Sequence, residues 1–363
     1  MPYIVTPAQI DADKKDILDF FAEHRPTIDN DRYNWIYQNN PHGVASCWLA
    51  KETPLQNIVG TAVLFPKKVW VAGNQKMAAI AGDFIVSKKN RAFGPAIALE
   101  KEVVLGCQKN KFDILYGMPN PLSTAILQRA GFKKIGFIQR FSKLLRMYPY
   151  IERRVAKLFR TEPYIERRVI DKSLAKGLLR PFDFIVEKFS KETWVSQSTE
   201  YVPEILTRFD QRFDILFEKI RDQTILIGER TSEYLNWRLI DSPIEDYILF
   251  SLVHKKTQEI GGYITFYKQN NIACIVDFIA LDAHKMFDIV FSEFLMYQRR
   301  EGADAVSLLY FGKSFFRNKL REYGFVVRPP LRDFVVYLNP EINCPIDLEN
   351  PEYWYVLECD NDI

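Results

Sequence analysis

Apolar and polar positions fall into short blocks whose period changes along the chain. Residues 3–6 read as a short strand, and residues 14–24 place Ile17, Leu18, Phe20 and Phe21 at helical spacing. A second short helix is predicted over 32–38. Strands follow at 46–51, 57–65 and 77–86, alternating or apolar throughout. A helix over about 95–108, a strand at 113–117, a helix at 122–130 and a strand at 133–145 complete the first half. Gly131 stands where a left-handed residue ends a helix. The same order then returns, with a helix over 203–221 and strands near 247–254, 259–267 and 272–281. A helix at 287–299, a strand at 305–310, a helix at 314–323 and a strand at 334–338 close it. Hairpins followed by strands joined through helices predict a mixed α/β sheet.

The return of the pattern is a sequence repeat. Asn34-Trp35, Pro41 and Val59-Gly60 recur as Asn236-Trp237, Pro243 and Gly261-Gly262, all at an offset of 202. Asp83-Phe84-Ile85 recurs as Asp277-Phe278-Ile279 at 194, and Gly131-Phe132 as Gly324-Phe325 at 193. The offset falls across a hairpin, where residues 66–76 are replaced by the shorter 268–271, and loops tolerate such differences. Collinear matches of this kind indicate one supersecondary unit used twice. Two domains are expected, 1–146 and 191–363, joined by a basic segment at 147–190. In that segment Pro149-Tyr-Ile-Glu-Arg-Arg-Val recurs from Pro163, which fits two short helices each starting at a proline. Its arginines suit a solvated linker face, a membrane surface or a charged partner.

Composition narrows the class. With 363 residues, 47% hydrophobic and 26% charged, the chain suits two globular domains. A net charge of +3 gives no case for DNA binding. No apolar run approaches the roughly 18 residues of a membrane span. Residues 1–13 lack the basic and apolar regions of a signal peptide. Five scattered cysteines form neither a metal spacing nor an even disulfide set. A reduced, cytoplasmic protein without a metal is expected.

One half carries a loop that the other lacks. After the strand ending at Val86 comes Arg91-Ala92-Phe93-Gly94-Pro95-Ala96, and then a helix. A tight loop opening a helix presents backbone N–H groups and the positive end of the helix dipole to a phosphate. In the copy the corresponding stretch is Leu281-Asp282-Ala283-His284-Lys285-Met286, without glycine.

The first half resembles the GNAT superfamily of acyl-CoA-dependent N-acyltransferases. Arg91-x-x-Gly94-x-Ala96 fits that family's pyrophosphate loop, and Asn120, Ala125, Ile126 and Gly131-Phe132 fit its second signature. The resemblance covers residues 3–145, with the second half a diverged copy. It implies two tandem GNAT-like folds, each a mostly antiparallel mixed sheet flanked by helices. It also implies acetyl-CoA or another acyl-CoA as co-substrate, and transfer to a small primary amine such as an amino sugar or amino-acid-like cell-envelope precursor. Ile85, Val86, Arg91, Phe93, Gly94, Pro95, Ala96 and Asn120 would hold the CoA.

Two residues depart from the family pattern. The tyrosine that often protonates the leaving thiolate is replaced by Leu127, which leaves that role to Tyr116 or water. Pro95 has no N–H to offer a phosphate. Asp83, a carboxylate in an apolar strand, is the candidate base, although its repetition as Asp277 also fits a structural role at a strand bulge. His42 and His254 are not assigned a role. The acidic end of the chain, Glu358 to Asp362, is either solvated or reaches the groove between the halves to bind a cationic amine. A Fem-type transferase using aminoacyl-tRNA and a non-catalytic binding protein are the other readings of this fold.

Overall fold

The computed structural model describes residues 3–109, 112–147, 187–195, 198–341 and 346–362. Most of the basic segment, including both Pro-Tyr-Ile-Glu-Arg-Arg-Val copies, therefore lies outside the described residues. Among the described residues, no helix is long and apolar enough to cross a membrane.

The first half runs β1 (Tyr3–Pro7), α1 (Lys14–His24), α2 (Asn30–Tyr33), β2 (Ser46–Glu52), β3 (Ile58–Val71) and β4 (Asn74–Val86). It continues with α3 (Pro95–Lys109), β5 (Ile114–Gly117), α4 (Pro121–Ala130) and β6 (Lys133–Leu144). The second runs β7 (Tyr201–Leu206), α5 (Gln211–Arg221), β8 (Leu226–Gly228), α6 (Ser232–Leu235), β9 (Ile248–His254), β10 (Ile260–Gln269) and β11 (Ile272–Ala280). Then come α7 (Met286–Arg300), β12 (Ala305–Gly312), α8 (Ser314–Glu322), β13 (Val326–Leu338) and β14 (Trp354–Val356). Both α2 and α6 pass into a π-helical turn, Asn34–Gln38 and Asn236–Ile240. The repeated tryptophans meet there: Trp35 Nε1 donates to the Trp237 carbonyl at 2.8 Å, with ring centroids 5.2 Å apart.

The sequence misplaced one element. Residues 203–221, expected as a single helix, divide into β7 and α5. The backbone of β7 pairs with β9, from Tyr201 opposite His254 to Leu206 opposite Leu249. Pro203 is tolerated because β7 is an edge strand, where a missing N–H goes unnoticed. The helix starts only where the Asp210 carboxylate caps the Arg212 N–H at 3.0 Å.

The central sheets of the two halves are joined into one, in the order β1-β2-β3-β4-β5-β13-β6-β12-β11-β10-β9-β7. Along this path only β4/β5 and β11/β12 are parallel pairs. The final strands are exchanged. β13, from the second half, lies between β5 and β6 of the first, and β6 pairs in turn with β12 of the second. Each half thus completes the other's sheet. Off this path, β8 pairs with the far end of β3 and with β14, and β14 pairs with β12.

Three apolar clusters hold the layers. Trp48, Leu99, Val103, Leu115, Leu127 and Phe132 pack α3 and α4 on one face of the first half. Phe21, Tyr37, Phe65, Tyr116 and Trp354 fill the opposite face. Phe250, Phe278, Phe291 and Phe294 are part of the larger core of the second half.

Candidate active site

Strands β4 and β5 are paired only from Ala78–Ile114 to Ile80–Tyr116. Beyond this point they diverge, and the edge of β4 that faces β5 has no strand partner there among the described residues. The divergence coincides with a bulge: Gly82 lies opposite Val63 and Ile85 opposite Thr61, with the register shifted between them. Asp83 sits in the bulge with φ +41°, and its carbonyl accepts from Thr61 Oγ1 at 2.9 Å. A cavity of about 320 Å³ fills the gap, lined among others by Gly82, Asp83, Glu100, Asn120, Leu127 and Asp362.

The Asp83 carboxylate is fully engaged. Arg32 donates Nη1 to Oδ2 at 2.8 Å and Nη2 to Oδ1 at 3.1 Å. Arg25 Nη1 reaches Oδ1 at 3.0 Å and the Tyr37 hydroxyl reaches Oδ2 at 2.8 Å. Burial disfavours the Arg32 cation, yet the facing Asp83 charge holds its pKa above the usual value. Burial, reinforced by Asp83, keeps Tyr37 protonated. Asp277 repeats the arrangement: Arg230 Nε lies 3.0 Å from each oxygen, and the Tyr263 hydroxyl donates at 2.6 Å. Each aspartate anchors an arginine and a tyrosine.

Between β4 and α3 the chain makes a 3-10 turn, Lys88–Phe93, and then a left-handed step at Gly94, φ +83°. A side chain at Gly94 would be strained, and its Cβ would meet Tyr3 Oη at 3.2 Å. Pro95 opens α3, and the first helical bond to Gly94 comes from Ala98 at 3.4 Å. The N–H groups of Ala96 and Ile97 therefore have no acceptor within the helix. Arg91 folds back, its Nε donating to the Val86 carbonyl at 3.3 Å. Ile85 and Val86 form the end of β4, with Val86 packed in the core beside Leu99. Phe93 closes the 3-10 turn. Asn120 is the N-cap of α4, its Oδ1 accepting from the N–H groups of Leu122 and Ser123, both at 3.0 Å. It borders the cavity while fixing the helix.

Tyr116 is placed differently from the expectation of a proton donor. Successive residues of a strand face opposite sides. Leu115 points towards α3, so Tyr116 points into the other face, beside Phe334 and Trp354. Its hydroxyl donates to the Asp360 carbonyl at 3.1 Å, and burial pushes the phenol well above its ordinary range. It does not line the cavity.

The acidic tail reaches the groove between the halves. Arg230 donates to Asp360 at 2.9 and 2.6 Å, and Lys67 Nζ stands 3.1 Å away. Burial opposes that charge, but the two cations hold the Asp360 carboxyl well below its usual range. Arg238 donates to the carbonyls of Cys359 and Asn361, and Arg32 to that of Asp362 at 3.1 Å. Asp362 Oδ2 accepts from the Asp83 N–H at 3.3 Å. The approach is close enough that a Cβ on Gly82 would come within 2.6 Å of Asp362. Burial, then the neighbouring Asp83, raise the Asp362 pKa.

The corresponding gap in the second half is filled by the chain itself. β11 and β12 pair only from Ile272–Ala305 to Ile275–Leu308. Beyond that, β14 pairs with β12 at Phe311–Val356 and Gly312–Tyr355, and Tyr355 Oη donates to the Phe278 carbonyl at 2.6 Å. Ahead of α7 the Asp282 carboxylate accepts from the N–H groups of His284 and Lys285, at 2.7 and 3.2 Å. Donors that a phosphate would need are already used.

Solved structures of similar fold share this architecture. The GCN5-related N-acetyltransferase (GNAT) from Anabaena variabilis ATCC 29413 superposes with a TM-score of 0.63 at 14% identity, over 93% of this chain and 73% of that one. The chain carries the GNAT fold twice. A tandem GNAT protein from the clavulanic acid biosynthesis pathway aligns over 94% of this chain and all (100%) of that one, with TM-score 0.54 and 12% identity. N-myristoyltransferase from Saccharomyces cerevisiae, solved with bound myristoyl-CoA, aligns over 100% of this chain and 84% of that one, with TM-score 0.55 and 12% identity. No family model and no curated protein matches the sequence. Within this tandem GNAT fold, Glu100 of the cavity lining and Arg32, which holds Asp83 behind it, escaped the sequence reading. Arg32 left no local signal. Glu100 did: Ala96, Glu100, Val103 and Cys107 recur at helical spacing, and Glu100 interrupts an apolar stripe.

Proposed function

We propose that the chain is an acyl-CoA-dependent N-acyltransferase in which residues 1–146 hold the acyl-CoA and residues 191–363 shape the acceptor side. One observation carries this reading. The first half keeps an unpaired strand gap leading to an open helix start at Gly94–Ala96, whereas β14 and Asp282 fill the same places in the second. An extended pantetheine arm would pair with the edge of β4 past Asp83, whose own N–H is held by Asp362, in the manner of a strand added to a sheet. The pyrophosphate would sit on the amides of Ala96 and Ile97, next to Arg91. The bound myristoyl-CoA of the yeast enzyme supports a thioester donor for this fold.

The acceptor would be a primary amine, with an amino sugar or amino-acid-like envelope precursor preferred. It enters beside Asp362, whose carboxylate faces the cavity and takes the role of base, since both Asp83 oxygens are bound by arginines and Tyr37. Asp83 then positions Asp362 through its N–H. Tyr116 holds the tail by its backbone. Catalysis consists chiefly of setting amine against thioester.

Thermal unfolding with and without CoA or acetyl-CoA tests this. A ligand at a hundred times its dissociation constant adds about 2.7 kcal/mol. A rise in melting temperature that is lost in Gly94→Glu is expected. No rise with either ligand would reject the acyl-CoA assignment.

A further inference from the structure

Glu100 is unlike the other acids near the cavity. It lies on α3, where Leu99 and Val103 face the sheet, and is 2% exposed. Asp83 and Asp360 are met by arginines, but Glu100 Oε2 is buried without a hydrogen-bond partner among the described residues. It nevertheless lines the same cavity as Leu127, Asn120 and Asp362. Arg25 and Arg332 line other parts of this cavity, and burial of an unpartnered carboxyl favours its neutral form, which carries a donatable proton. Burial alone pushes its pKa up to about 8.

We infer that Glu100 is the general acid of the transfer, giving its carboxyl proton to the departing thiol sulfur. The inference rests on the acyl-CoA reading above. It answers a chemical need that the sequence leaves open. Leu127 occupies the position of the tyrosine expected for this role, and it cannot donate a proton. Tyr116 points into the opposite face. Glu100 reaches the same cavity as Leu127 from the neighbouring helix, so the proton comes from α3 instead of α4.

The step balances without another reactant. The acceptor nitrogen forms its bond to the acyl carbon as the C–S bond breaks. The sulfur takes the Glu100 proton and leaves as a thiol, and the amine loses its proton to the Asp362 carboxylate. Solvent exchange then returns Glu100 and Asp362 to their starting states. Starting from the neutral amine, the net products are amide and free thiol. A donor with pKa near the working pH suits such a transfer.

The test uses the full chain and its Glu100→Gln variant, with thiol release from acetyl-CoA measured against glucosamine, lysine and spermidine between pH 6 and 10. Glutamine keeps the shape and neutrality of the protonated acid, so the stability gained on adding CoA should be unchanged. The expected result is a fall in kcat of about 100-fold with KM for acetyl-CoA nearly constant. The alkaline limb near pH 8 should disappear with it. An acetyl ester of an acidic aryl thiol, whose thiolate leaves unprotonated, should be consumed about equally by both proteins. A purely structural role would slow both donors alike, and that result would overturn the inference. So would an unchanged kcat and pH profile in the variant. If the unaltered protein neither binds CoA nor releases thiol with any of the amines, the acyl-CoA reading fails first and the inference falls with it.

Discussion

Asp362 Oδ2 accepts a hydrogen bond from the Asp83 N–H, 3.3 Å away, so the tail of the second half ends on the bulge of β4 in the first. Arg32 holds both partners, donating to the Asp83 carboxylate and to the Asp362 carbonyl. The left-handed backbone at Asp83 turns its N–H away from β3 and towards this tail. The cavity is thus built by a β-bulge, one buried arginine and a segment about 280 residues further along the sequence. Its electrostatics follow from that: one carboxylate is paired, and a second is held next to it.

Replacing Asp83 by Asn should destabilise the fold far more than replacing Arg25 by Ala. The first leaves Arg32 buried opposite a neutral group, at a cost of about 3–5 kcal/mol. The second removes a side chain that is 39% exposed and leaves Arg32 in place, which should cost no more than about 1 kcal/mol. Urea midpoints of the two variants at neutral pH measure the difference.

Arg230 should be the most sensitive position of the second half. Among the described residues it alone bridges Asp277 and Asp360, and its side chain is fully buried. Arg230→Met leaves Asp277 buried without its cation and Asp360 with Lys67 alone, and should cost about 3–5 kcal/mol. Lys67→Met leaves Asp360 with its arginine and should cost less. Chemical denaturation of both variants gives the order directly.

Stability should fall as pH rises from about 5 to 8, and Glu100 should be one cause. Its folded pKa is raised to about 8 while its unfolded value stays ordinary, so the folded state binds more protons in that window. Glu358, raised to about 7 by burial, acts in the same direction. Glu100→Gln should flatten the decline, so that the variant's stability relative to the parent is higher at pH 8 than at pH 5 by at least about 1 kcal/mol. Asp360 has the opposite sign. Its folded pKa is depressed, so its contribution is present above the ordinary carboxyl range and fades as pH falls below it. Urea midpoints measured across pH 3–9 separate the two trends.

Residues 1–146 alone should not form a stable domain. β5 and β6 are held apart by β13, and without it both would expose unpaired edges and the apolar side chains that Phe334 and Val336 cover. Co-expression with residues 187–363 should restore the sheet. Circular dichroism and size-exclusion profiles of the fragment, alone and with its complement, provide the check.

Much of this architecture was legible because its signals are local. The repeat, the left-handed Gly131 and the loop between β4 and α3 each depend on a few adjacent residues and their backbone angles. Asp83 stood out as a charge in an apolar strand. Its partner did not, because Arg32 lies 51 residues away and nothing near it marks a buried cation.

What the sequence determined by itself was the order of most elements, their doubling, and which half has the glycine-containing loop between β4 and α3. Tertiary structure alone decided that β6 and β13 change places, that β14 closes the second gap, and that Tyr116 faces away from the first. It also decided that Glu100 is buried with its Oε2 unpartnered among the described residues. Backbone hydrogen bonds between strands are alike for nearly every residue, so pairing partners are set by how all the apolar faces pack together. The charge state of a buried acid likewise depends on groups brought in from distant elements, and those distances exist only in the fold.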